Sequence, residues 1–149
     1  MRLYLDTEFN GFGGELISLA LAADNGGELY IIRSIVPPNL YEPWVIDNVL
    51  PNLTIDEYPG RALSDEEFMR QFALFIYRYR GAEIVADWPA DIEHFCACMT
   101  YLGREDGFKV PGEFTFRLID RMGDYNSALP HNALSDARAL RTYCKDWNK

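Results

Sequence analysis

The sequence predicts one α/β domain, taken as 1–149, in which helices cover the faces of a mixed β-sheet. Three observations carry that expectation. Strand-like segments open the chain, and Asn25-Gly26-Gly27 is a strong hairpin signal between two of them. One short and three longer helical patterns follow, with two short strand patterns among them, in the order βββ-α-α-β-α-β-α. The length of 149 residues suits a single domain with a substantial core.

Each element has a local reason. Residues 2–5 alternate as a strand does and lead into Asp6-Thr7-Glu8-Phe9. Asn10-Gly11-Phe12-Gly13-Gly14 is a turn whose glycines let backbone come close to a ligand. Strands at 15–22 and 28–33 complete an antiparallel meander. Pro37-Pro38 makes 36–42 irregular, and Pro43 then opens a short helix to about 50. A loop is expected over 51–63. Ser64-Asp65-Glu66-Glu67 is a capping-box entry into a helix to about 80. Its Phe68, Phe72, Phe75, Ile76 and Tyr79 recur at helical spacing, as a core-facing stripe does. A buried strand at 83–86 ends at Asp87-Trp88-Pro89, where a helix starts that runs to about 102 and stops at Gly103. A strand at 114–119, a polar loop at 124–130 and a helix at 133–147, capped by Asn132, finish the chain.

The bulk numbers exclude several classes. Hydrophobic content of 48% and charge of 25% are those of an ordinary globular protein. No apolar run approaches a membrane span. The N-terminal run reaches an acid too soon for a signal peptide, so the expected location is cytoplasmic. Cys96, Cys98 and Cys144 are odd in number and lack C-x-x-C spacing, which argues against a disulfide framework or a zinc site. They read as free, mostly buried thiols, with Cys96 and Cys98 on different sides of a helix. A net charge of −9 does not suit gripping a long duplex through its phosphates. It is compatible with acids that collect metal ions, which reverse the local field, and it favours a short or single-stranded substrate.

Asp6 and Glu8 lie two apart on a strand, so both side chains leave one face. Asp136 falls in the first turns of the last helix, with His131 just ahead of it. Such a set is able to hold two divalent metals and a base that activates water, the equipment for cleaving a phosphodiester. Each residue taken alone also has a structural explanation. Asp6 and Glu8 fit solvated strand-end acids, and Asp91 and Asp136 fit acids stabilised by a helix N-terminus. The joint pattern is what favours chemistry.

Asp6-x-Glu8, a central acid followed by a helix, and His131-x-x-x-x-Asp136 resemble the three motifs of DEDDh 3′–5′ exonucleases. The resemblance spans residue 3 to about residue 140. Tyr4-Leu5-Asp6-Thr7-Glu8-Phe9 and Glu15-Leu16-Ile17-Ser18 look closest to the ribonuclease AS group of small exoribonucleases, with ribonuclease T and oligoribonuclease more distant. In the middle motif Asp91 fits best, with Phe95 one turn on. Ala90 replaces the usual aromatic, and Asp87 is the alternative acid.

The resemblance implies an RNase H-like fold and hydrolysis of single-stranded RNA or short oligonucleotides from the 3′ end, releasing nucleoside 5′-monophosphates. It implies that Asp6, Glu8, Asp91 and Asp136 bind two Mg²⁺ or Mn²⁺ ions and that His131 is the base. Phe9, Phe12 and Trp88 are candidates for stacking on a terminal base, with core packing an equal expectation for Phe9. His94 follows Asp91 by three residues, but hard oxygen sites rarely recruit imidazole. A homodimer is compatible with the resemblance, with 36–43 and 104–113 available for contacts. The competing expectations are a single-strand DNA 3′–5′ exonuclease, a catalytically silent nucleic-acid- or protein-binding module on the same fold, and a small-nucleotide phosphohydrolase.

Overall fold

The computed structural model describes residues 1–34, 40–55, 58, 61–102, 113–120 and 126–145. The meander is β1 (Arg2–Phe9), β2 (Leu16–Ala23) and β3 (Glu28–Arg33). Then come α1 (Pro43–Asn48), a 3-10 turn (Leu50–Asn52), β4 (Ala62–Leu63) and α2 (Asp65–Arg78). The chain continues through β5 (Glu83–Ala86), α3 (Pro89–Leu102), β6 (Thr115–Leu118) and α4 (Ala133–Cys144). This is the α/β architecture expected, and it is consistent with an RNase H-like fold.

The strands lie in the order β4-β3-β2-β1-β5-β6. β1, β2 and β3 pair antiparallel, while β4, β5 and β6 join in parallel. Gly26 makes the β2–β3 hairpin possible, because it sits at φ +89°, a conformation other residues rarely adopt. The capping residues work as expected: the Ser64 side chain accepts from the Glu67 N–H, and that of Asn132 from the Ser135 N–H.

As expected, β1 carries both acids and ends at Phe9, with Asp6 opposite Ala20 and Glu8 opposite Ser18. One element differs from expectation. β4 is a two-residue edge strand inside the expected loop, held by pairing with Ile32 and Arg33 of β3. So short an element has no periodicity to read.

Alternation along β1 sends Leu3 and Leu5 under α2 and α3, and Tyr4 under α4. The stripe Phe68, Phe72, Phe75, Ile76 and Tyr79 is buried against the first face. There Phe72 meets Phe95 of α3 edge-on at 5.2 Å. On the second face, Ala20 and Ala22 meet Ala133 and Ala137 of α4. All three cysteines are free thiols, and Cys98 and Cys144 are buried while Cys96 is exposed, in keeping with a mostly buried set. No helix among the described residues is long and apolar enough to cross a membrane. Gly103, most of 104–113 and part of 36–43 lie outside the described residues, as does the end of the helix expected to reach 147.

Candidate metal centre

The carboxyl ends of the parallel neighbours β1 and β5 open into a cleft of about 800 Å³. Open sheets bind ligands at such strand ends. Asp6, Glu8, Asp91, His131 and Asp136 all line it, with Phe9, Phe12 and Trp88. Asp87, the alternative middle acid, lines it as well. The choice between Asp87 and Asp91 therefore dissolves: the fold brings in both.

Each acid is delivered by a different device. Asp6 and Glu8 share the α4 face of β1, continuing from Tyr4. Asp136 is in the first turn of α4, whose start is pinned by buried Asn132. The Asn132 amide donates to the Tyr30 hydroxyl at 3.2 Å and to the Asn52 carbonyl at 2.7 Å. Asp91 reaches in from the first turn of α3, on the other side of the sheet. Thr7, between the two acids of β1, points towards it. The Thr7 N–H and hydroxyl donate to Asp91 Oδ1 at 3.1 and 2.6 Å.

The carboxylates form two trios that share one member. Oxygens of Asp6, Asp87 and Asp91 lie within 4.8 Å of one another, and so do those of Asp6, Glu8 and Asp136. Asp6 Oδ2 and Asp91 Oδ2 are buried without any hydrogen-bond partner. Burial raises the pKa of Asp6, Glu8, Asp91 and Asp136, and repulsion from neighbouring carboxylates adds to it. Asp6 is held well above the usual carboxylate range by burial first and then by Asp91, Glu8, Asp136 and Asp87. Burial and the charges of Asp136 and Asp91 push Glu8 up to about 8. Asp91 is pushed up to about 7, with the Thr7 bonds opposing the effect of burial. Asp136 is raised by burial, against the hydrogen bond from the His131 N–H, 3.0 Å from its Oδ2. Among the described residues, no Lys or Arg lines the cleft to offset these charges. The donor set is all oxygen, which fits a hard divalent cation.

His131 sits in the left-handed region at φ 62°, a conformation that costs a non-glycine residue of order 1–3 kcal/mol. That turn lets its N–H bond Asp136 while its ring lines the cleft. The ring meets Trp44 of α1 edge-on at 4.9 Å. Phe12, 91% exposed, stands 6.5 Å from the Trp88 ring. Phe9 both lines the cleft and packs on His94 at 4.9 Å. His94 belongs to neither carboxylate trio. The Asn10 side chain ties the glycine turn to the segment that leads into α1, donating to the Leu40 carbonyl at 3.0 Å and accepting from the Glu42 N–H at 2.7 Å.

Thr7 and Trp44 are site residues that sequence reasoning missed. Thr7 lies on the strand face opposite the acids, so only the placement of α3 gives it a role. Trp44 begins a helix, a visible position, but nothing in the chain ties it to a histidine so distant in sequence. No protein-family model and no curated protein matches the chain.

Proposed function

We propose that this protein is a metal-dependent 3′–5′ exonuclease that hydrolyses short or single-stranded nucleic acid, with RNA as the favoured substrate. One observation carries the proposal: two carboxylate trios share Asp6 in a cleft that His131 also lines. The 3′–5′ polarity and the RNA preference rest on the motif resemblance. A cytoplasmic location suits its free thiols.

Two bound divalent ions would activate a water and stabilise the departing 3′ oxygen. Asp6, Glu8, Asp91 and Asp136 would hold them, and Thr7 keeps the Asp91 carboxylate turned for that work. Water attacks phosphorus and the P–O3′ bond breaks. His131 accepts the attacking water's proton, and the 3′ oxygen leaves and is protonated by solvent. The products are a nucleoside 5′-monophosphate and a chain shorter by one residue. Phe12 and Trp88 offer ring faces to a terminal base, a contact indifferent to base identity.

Matched RNA and DNA oligomers, labelled at either end, test this with Mg²⁺, with Mn²⁺ and with chelator. Stepwise release of 5′-mononucleotides from the 3′ end, abolished by chelator, is expected. Products from the 5′ end, or hydrolysis of free nucleotides alone, would overturn the proposal. Preference for DNA would leave the chemistry and change the substrate. His131→Ala is expected to lower turnover about 10²–10⁴-fold while Mn²⁺ affinity stays within a few-fold. Unchanged turnover at saturating metal would remove His131 from the base's role.

A further inference from the structure

We infer that Asp87 is a fifth ligand of the centre, holding a divalent cation together with Asp6 and Asp91 beside a second cation held by Asp6, Glu8 and Asp136. The inference rests on the metal-binding part of the proposed function and specifies which residue completes it.

Asp87 is carried there by the sheet. β5 runs parallel to β1 with Leu3 opposite Ile84 and Tyr4 opposite Val85. The same register carried two residues further sets Asp87 level with Asp6. Asp91 follows four residues later, at the start of α3, so the two acids flank the turn made by Trp88 and Pro89. Oxygens of Asp6, Asp87 and Asp91 fall within 4.8 Å of one another.

A cluster of acids alone would not identify a ligand; the state of Asp91 does. The residue is 2% exposed. Its Oδ1 is taken by the two Thr7 donors, and its Oδ2 is buried with no partner. Leaving a buried carboxylate oxygen unpaired is costly. Its neighbours in the trio are carboxylates, which when ionised only accept. A cation among the three oxygens satisfies all of them at once. Asp6, whose Oδ2 is also buried and unpartnered, belongs to both trios. The remaining positions of a six-coordinate hard ion would be left for water or a substrate phosphate.

Mn²⁺ alone, titrated into metal-free protein and counted by the electron paramagnetic resonance of the free ion, tests the assignment. Wild type is expected to bind two ions. Asp87→Asn is expected to keep one and to weaken the other tenfold or more. Glu93→Gln, which removes an exposed acid elsewhere on α3, should bind as wild type does. Should Asp87→Asn fail to fold, Asp87→Glu keeps the charge and is expected to bind two ions with altered affinity for one. Two ions with unchanged affinities in Asp87→Asn, or in Asp87→Glu where that variant replaces it, would overturn the inference. So would a single ion in wild type. Loss of one ion in Asp87→Asn, with no cleavage of any oligonucleotide by wild type, would sink the exonuclease and leave the fifth ligand standing. A wild-type protein that cleaves, with metal binding indifferent to Asp87, would do the reverse.

Discussion

Under α2 and α3 the sheet is covered by large side chains, among them Leu3, Leu5, Phe68, Phe72, Ile76 and Phe95. Under α4 the contact is richer in small residues, with Ala20 and Ala22 of the sheet and Ala133 and Ala137 of the helix among larger ones such as Tyr4, Leu134 and Leu140. The size of the side chains at a contact sets how closely two elements approach. Small residues let α4 lie close to β1 and β2, which is what brings Asp136 of the helix to Glu8 of the strand. The first face holds much of the apolar burial that stabilises the fold, at roughly 1.5–3 kcal/mol per large buried side chain. The second ends in charge that the apo fold tolerates at a cost. One sheet thus separates stability from chemistry by face, and Thr7 with Asp91 is where the two sides meet.

The largest expected break in that comparison is Asp6→Asn. Asp6 belongs to both trios, and metal ions contribute several kcal/mol to such reactions, so turnover should fall roughly 10³-fold or more. The metal-free protein should melt at the same temperature or higher, since one member of a self-repelling cluster is gone. Turnover near wild type, or a clear drop in melting temperature, would return Asp6 to a structural role.

Phe72→Ala should do the opposite. It leaves a cavity in the large-residue face and should cost about 3–5 kcal/mol of stability, measured by urea unfolding in chelator. Its Mn²⁺ affinity should be unchanged under conditions where it remains folded. A Phe72→Ala protein that is fully stable, or folded but unable to bind Mn²⁺, would deny the separation of faces.

The pH dependence is a smaller effect and sharpens the comparison. Glu8, pushed up to about 8, and Asp91, pushed up to about 7, bind protons in the folded state that the unfolded chain has released. Their contribution is fully present below about pH 4 and is lost as pH rises through 7 and 8. The paired acids Glu28, beside Arg138 and Arg141, and Asp65, beside Arg33, have lowered values. Their contribution is lost only as pH falls below about 4, so it adds no slope above pH 5. The melting temperature in chelator should therefore fall between pH 5.5 and 8. Added Mg²⁺ should restore more at pH 8 than at pH 5.5, because cations bind the deprotonated acids. A flat or rising curve in chelator would mean that these acids are not buried together.

Much of this was legible along the chain because it is local. The pair Asp6 and Glu8 shares a face by strand alternation, and Asn132 and Ser64 announce their helices by capping. The α2 stripe predicts its buried side at 3.6-residue spacing, and Gly26 marks a hairpin by the φ it must adopt. These follow from periods and steric limits that act over a few residues. Ala62 and Leu63 of β4 carry no such signal, since only their partner strand makes them a strand.

What the chain alone could not decide is which distant residues meet. It offered Asp87 and Asp91 as rivals; the parallel register of β1 and β5 and the start of α3 make them neighbours. It gave no role to Thr7, which points away from the acids of its own strand and finds Asp91 only because α3 packs on that side. It could not foresee Trp44 against His131, nor that His131 would turn through φ 62° to bond Asp136. Local sequence dictates faces, caps and turns through short-range sterics. Proximity between residues 6, 87, 91 and 136 is set by strand order and helix packing, which depend on burying the whole core at once.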